Sequence, residues 1–91
     1  MILGKVIGSV WSTRKDENLV GSKFLILREL NLDYSEKDGF LVAVDSVGAG
    51  VGEIVLAAQG SSARQTDITK NKPVDAVIMA IVDKLDVDQK K

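Results

Sequence analysis

Apolar residues alternate with small or polar ones along most of this chain, the period of extended strands rather than of helices. Near the start, Ile2, Val6 and Val10 share one face with Gly4 and Gly8, while Leu3, Ile7 and Trp11 share the other. Glycines on one face of a strand predict tight curvature, as at a barrel corner. Residues 12–22 are polar and charged and read as a loop whose Arg14 and Lys15 are followed at once by Asp16 and Glu17, a solvated tip. A second strand is expected over residues 23–32, with Phe24, Ile26, Arg28 and Leu30 on one side and Leu25, Leu27 and Glu29 on the other. Residues 33–39, DYSEKDG, form a turn, and lysine and aspartate at its fifth and sixth positions exclude a calcium loop. The third strand is expected over 40–47 and the fourth over 53–59. Ser62 with Gln65 three residues on fits a capping box, so a short helix is expected from Gly60. Residues 67–73 are loop material, and a fifth strand is expected over 74–85.

Short strands with connections too brief for crossover helices argue against a parallel α/β sheet. The expected fold class is all-β: a small five-stranded barrel with one short helix, occupying residues 1–85, with a charged, frayed tail over 86–91. The first, third and fifth strands are apolar on both faces, whereas a lone barrel needs only its inner face so. Contiguous apolar patches on the outside mark interfaces, so a homo-oligomer that buries outer wall between copies is expected.

Composition sharpens this. A chain of 91 residues buries only about 60–65% of the surface it exposes when unfolded. Hydrophobic residues are 45% of the chain and aromatics 4%, so the core is aliphatic, and with no cysteine neither disulfides nor thiolate metal sites brace it. A net charge of −1 supplies no positive field to gather nucleic acid or anionic lipid. The start, MILGKVIGSVW, is broken by Gly4, Lys5 and Gly8, too short an apolar block for a signal peptide or membrane span, and a cytoplasmic location is expected.

Candidate chemistry concentrates in residues 45–64, DSVGAGVGEIVLAAQGSSAR. Gly48, Gly50 and Gly52 alternate through a turn and predict backbone that bends hard and passes close to something. The run fails both phosphate-loop templates: the dinucleotide fingerprint needs its third glycine one residue later, and the P-loop needs Gly-Lys-Ser/Thr. Asp45 and Glu53 flank the turn as a possible acid–base pair, but no histidine exists to join them, and bonding to turn amides or to Arg64 is the better account. Ser61 and Ser62 lack a base. Metal binding has no His or Cys to stand on, so no cofactor, metal or catalytic residue is assigned. Trp11, Phe24, Tyr34 and Phe40 are too dispersed to stack single-stranded nucleic acid. A small oligomeric binding module for a ligand or nucleic acid is the alternative reading.

The run Ala43 to Glu53, AVDSVGAGVGE, with Val55-Leu56 and Gly60-Ser61-Ser62-Ala63-Arg64, resembles the EutN/CcmL family of bacterial microcompartment vertex proteins. Lys5-Val6-Ile7-Gly8, Pro73-Val74-Asp75 and Ile81-Val82-Asp83 are similar too, so the resemblance spans most of the chain. It implies a barrel related to the oligonucleotide-binding fold, assembled as a homopentamer, that closes the five-fold vertices of a polyhedral shell. The flat facets of such a shell are hexameric proteins and its contents are enzymes, so the chain itself is expected to be a non-enzymatic shell component. Ile54, where the carboxysomal branch tends to carry tryptophan, and residues 60–65 look more like the catabolic branch.

A ring of this kind needs a heterologous contact, one surface of each subunit meeting a different surface of the next. Asp45, Val47, Gly48, Ala49, Gly50, Val51, Gly52, Glu53 and Arg64 are the expected interface residues. If the turn at Gly60, Ser61 and Ser62 points to the axis, it would line a pore whose converging amides favour anions or polar solutes.

Overall fold

The computed structural model describes residues 1–10, 23–60 and 76–87. Five strands, β1 (Ile2–Ser9), β2 (Phe24–Leu30), β3 (Glu36–Asp45), β4 (Ile54–Gln59) and β5 (Ala76–Ile81), close into a barrel in the order β1-β2-β3-β5-β4. Pairing is antiparallel except between β3 and β5, which run parallel at Val44/Val77 and Asp45/Ile78. The pattern of strands predicts the small five-stranded barrel, and its order is that of the oligonucleotide-binding type that the family resemblance implies.

The alternating pattern works as period-two patterning should. Val6, Leu25, Leu27, Ala43, Val55, Ala57, Ala76 and Ile78 fill the interior, drawing on every strand, with Leu41 and Ile81 packed against them. Gly4 and Gly8 do accompany a bend: Val6 pairs with Leu27 and Gly8 with Ile26, so Ile7 is the extra residue of a β-bulge. At Gly4 an added Cβ would meet the Arg28 carbonyl and the Leu27 Cβ, each at 3.3 Å, so β1 and β2 approach there more closely than a Cβ is ordinarily accommodated.

Some boundaries differ from expectation. β2 ends at Leu30 rather than residue 32, and β3 begins at Glu36 rather than Phe40. The reason is that the turn is tighter than its polar stretch suggests. Asn31 and Ser35 close it through backbone and side-chain bonds, Asp33 accepts from the amide and hydroxyl of Ser35, and Tyr34 takes a left-handed φ of 69°. Residues 37–39 then bulge from the ladder, and the Arg28 guanidinium donates to the carbonyls of Lys37 and Asp38. β3 also stops at Asp45, two residues before the expected end, because the Asp45 carboxylate turns back onto the following amides. β5 ends at Ile81, not residue 85. The expected helix from Gly60, and the residues Trp11, Ser61, Ser62, Arg64 and 88–91, lie outside the described residues.

The expectation that the first, third and fifth strands carry apolar groups on both faces needs one correction as to which of these groups are bare. Val44, Ala58 and Val77, at positions alternate to the core residues, form a second buried cluster with Phe24 packed against it. That end of the outer face is already covered. Exposed apolar wall is found on the β1–β2–β3 side, at Ile7 (44% exposed), Phe40 (65%) and Val42 (47%), and on β5 at Met79 (38%).

Candidate functional site: the glycine turn

Between β3 and β4 the chain crosses one end of the barrel through residues 46–53. Its folding is dictated locally by two carboxylates. Asp45 Oδ1 accepts from the amides of Val47 and Gly48 at 3.0 Å and of Ala49 at 3.2 Å. Glu53 Oε1 accepts from the Gly50 amide at 2.6 Å, and the Glu53 amide donates back to the Gly50 carbonyl at 3.1 Å. Four successive amides, 47 to 50, are thereby bonded from within the chain. A phosphate loop would need those same donors for its ligand. Asp45 and Glu53 are thus structural braces for the turn, as the sequence argued, and not an acid–base pair. The Ser46 hydroxyl donates to the Ile78 carbonyl, tying the start of the turn to β5. The far limb is tied to β1: the Gly52 amide donates to the Val6 carbonyl and the Val6 amide to the Glu53 carbonyl.

The glycines divide into two kinds. Gly48 and Gly52 have φ of +76° and +93°, and a Cβ at either would meet nothing within 4 Å among the described residues. They are required by backbone conformation, not by close approach within the chain. Gly50 has no positive φ, and its nearest neighbour to a Cβ is Glu53 Oε1 at 3.5 Å, an ordinary contact. Among the described residues the fold therefore gives no reason for glycine at 50.

The other predicted residues sort by exposure. Ala49 is only 1% exposed and packs in the barrel's own core. Its side chain is not open to a neighbour, and it acts instead as the peg that seats the turn. Val51, at 71% exposed, and the less exposed Val47 present apolar groups outward. Gly60 is exposed with a φ of +64°, and its partners in the expected axial pore lie outside the described residues. The exposed wall at Ile7, Phe40 and Val42 was not named residue by residue from the sequence, although the two-faced apolar pattern pointed to it.

Among the described residues no group of three or more His, Cys, Asp or Glu is placed to hold a metal ion, and no helix is long and apolar enough to cross a membrane. The described residues thus form a closed barrel with a self-bonded turn across one end and bare apolar groups on turn and wall. The chain belongs to the EutN/CcmL family: the family profile described as "Ethanolamine utilisation protein EutN/carboxysome" matches residues 1–83. It is 46% identical over 89 residues to the shell vertex protein PduN of Salmonella typhimurium, covering 93% of this chain and 98% of that one. The solved structure of Gloeobacter violaceus CcmL superposes with a TM-score of 0.92 at 42% identity, over 97% of this chain and 91% of the other. GrpN from Rhodospirillum rubrum, a pentameric microcompartment shell protein, superposes at 0.89 with 44% identity, over 97% of this chain and all of that chain.

Proposed function

We infer that this chain is a structural shell protein that assembles as a homopentamer and caps the five-fold vertices of a bacterial microcompartment, without enzymatic activity of its own. The observation that carries the reading is the near-complete superposition on the pentameric microcompartment shell protein GrpN. Physical features support it. The turn places Gly50 where the fold does not need it and Val51 where water does not favour it, as a surface built to meet another copy would. In this reading the location is the shell of a microcompartment in the cytoplasm, and the partners are the hexameric proteins of the facets, with no role for nucleic acid or membrane. Assignment to a catabolic compartment rests on Ile54 and residues 60–65 and is part of the same proposal.

The test is electron microscopy of shells assembled from facet hexamers with and without this chain. Closed polyhedra with density at the vertices are expected only when it is present. Shells that close equally well in its absence, and that never retain it, would remove the proposal.

A further inference from the structure

Opposite Glu29 of β2 the register of the β2–β3 ladder opens. Arg28 pairs with Phe40 and Leu30 with Glu36, so residues 37–39 stand together against a single residue. Asp38 and Gly39 in that bulge are both exposed. They form the one Asp-Gly pair in the chain, which has no Asn-Gly pair. With no Cβ on Gly39, its amide nitrogen is open to the carboxyl that precedes it. Among the described residues nothing bonds the Asp38 carboxylate. Asp45, followed by Ser46, makes the contrast. Its Oδ1 accepts from the amides of Val47, Gly48 and Ala49, so that carboxyl is committed to amides beyond the next one.

Arg28 adds a direction to the chemistry this permits. Its Nη1 donates to the carbonyl oxygens of Lys37 at 3.3 Å and of Asp38 at 3.4 Å, while Glu36 engages its Nε only loosely, at 3.8 Å. A guanidinium on the Asp38 carbonyl draws electrons from the carbonyl carbon and favours attack there by water. If that carbonyl becomes a free carboxylate, the same arginine holds it more tightly than it holds a neutral oxygen.

We propose that Asp38 is a site of spontaneous isoaspartate formation, with Arg28 directing the outcome. The Gly39 nitrogen attacks Cγ of the protonated Asp38 carboxyl, and the amide proton and the carboxyl hydroxyl leave as water, closing a succinimide ring. Water then adds to the main-chain carbonyl carbon of Asp38. The bond from that carbon to the Gly39 nitrogen breaks, and the nitrogen takes a proton. The chain now runs through Cβ and Cγ, and the former carbonyl is a carboxylate facing Arg28. Opening at Cγ instead restores aspartate, and water is the only co-reactant on either route.

The test incubates the folded chain, and the same chain unfolded in guanidinium chloride, in heavy-oxygen water. Peptide mapping with electron-transfer fragmentation then locates the label, which each ring opening leaves behind, and separates isoaspartate from aspartate. In the folded protein label is expected at Asp38 and not at Asp45. The ratio of isoaspartate to aspartate at labelled Asp38 is expected to be higher folded than unfolded. Arg28→Gln is expected to bring the folded ratio down to the unfolded one, a readout that a change in rate alone does not move. An unlabelled Asp38 in the folded protein, equal labelling at Asp45, a ratio no higher folded than unfolded, or a ratio that Arg28→Gln leaves unchanged would each overturn the proposal.

Discussion

Replacing Asp45 with alanine tests whether the glycine turn is held by its own carboxylate. The side chain accepts from three amides, of Val47, Gly48 and Ala49. The first two are exposed and can turn to water, so each loses only the net worth of a hydrogen bond, about 0.5–1.5 kcal/mol. The third is part-buried, and an amide left without a partner there costs about 1–3 kcal/mol. Together the loss is about 2–6 kcal/mol, with the lower part of the range favoured by whatever hydration the turn gains. Asp45→Asn keeps an oxygen acceptor and removes only the charge, so about 1 kcal/mol is expected. Urea unfolding at fixed chain concentration measures both, since dissociation and unfolding are coupled in an oligomer. If alanine and asparagine cost the same, or alanine costs under about 0.5 kcal/mol, the carboxylate does not brace the turn.

Other perturbations separate the roles of neighbouring residues. Gly48→Ala and Gly52→Ala force a side chain into left-handed backbone and are each expected to lower folding stability by about 1–2 kcal/mol in the same urea assay. Gly50→Val should leave the isolated barrel folded but stop assembly, and a normal pentamer by native mass spectrometry would count against an interface at this position. Leu27→Ala opens the barrel's centre and is expected to cost about 2–5 kcal/mol by thermal or urea unfolding. Bonds from the Ser35 hydroxyl and amide hold the Asp33 carboxyl below the usual aspartate range. Its stabilising contribution is therefore present above the unfolded value, about 3.9, and fades as pH falls through the lowered one. NMR titration of Ser35→Ala should move the Asp33 carboxyl back up, and an unmoved titration would show that the hydroxyl is not the cause.

Much of this molecule was legible before its coordinates. Strand positions followed from alternation, the barrel from short connections, and the curved start of β1 from Gly4 and Gly8. The bonding of Asp45 and Glu53 to turn amides followed from the want of any partner for catalysis. Less legible were features that depend on three-dimensional closure. The turn at Asn31–Ser35 is tighter than composition suggests because side-chain bonds and a left-handed Tyr34 replace residues that a looser loop would need. Ala49 is expected from the sequence to meet a neighbouring subunit, yet it is pinned in the core, which only the path of the chain across the barrel end reveals. Likewise, apolar alternation marks both faces of β3 alike, but Val44 is covered while Val42 is bare. Periodicity tells which side of a strand a residue occupies, not what lies over it.

The central claim is that this barrel leaves apolar surface which identical neighbours around an axis cover. The most direct measurement is the solution mass of the unmodified chain at micromolar concentration by native mass spectrometry. The account predicts a single species at five times the 9.8 kDa chain mass. A stable, well-folded species at one chain mass, with Val42 and Val51 both open to solvent, would contradict it.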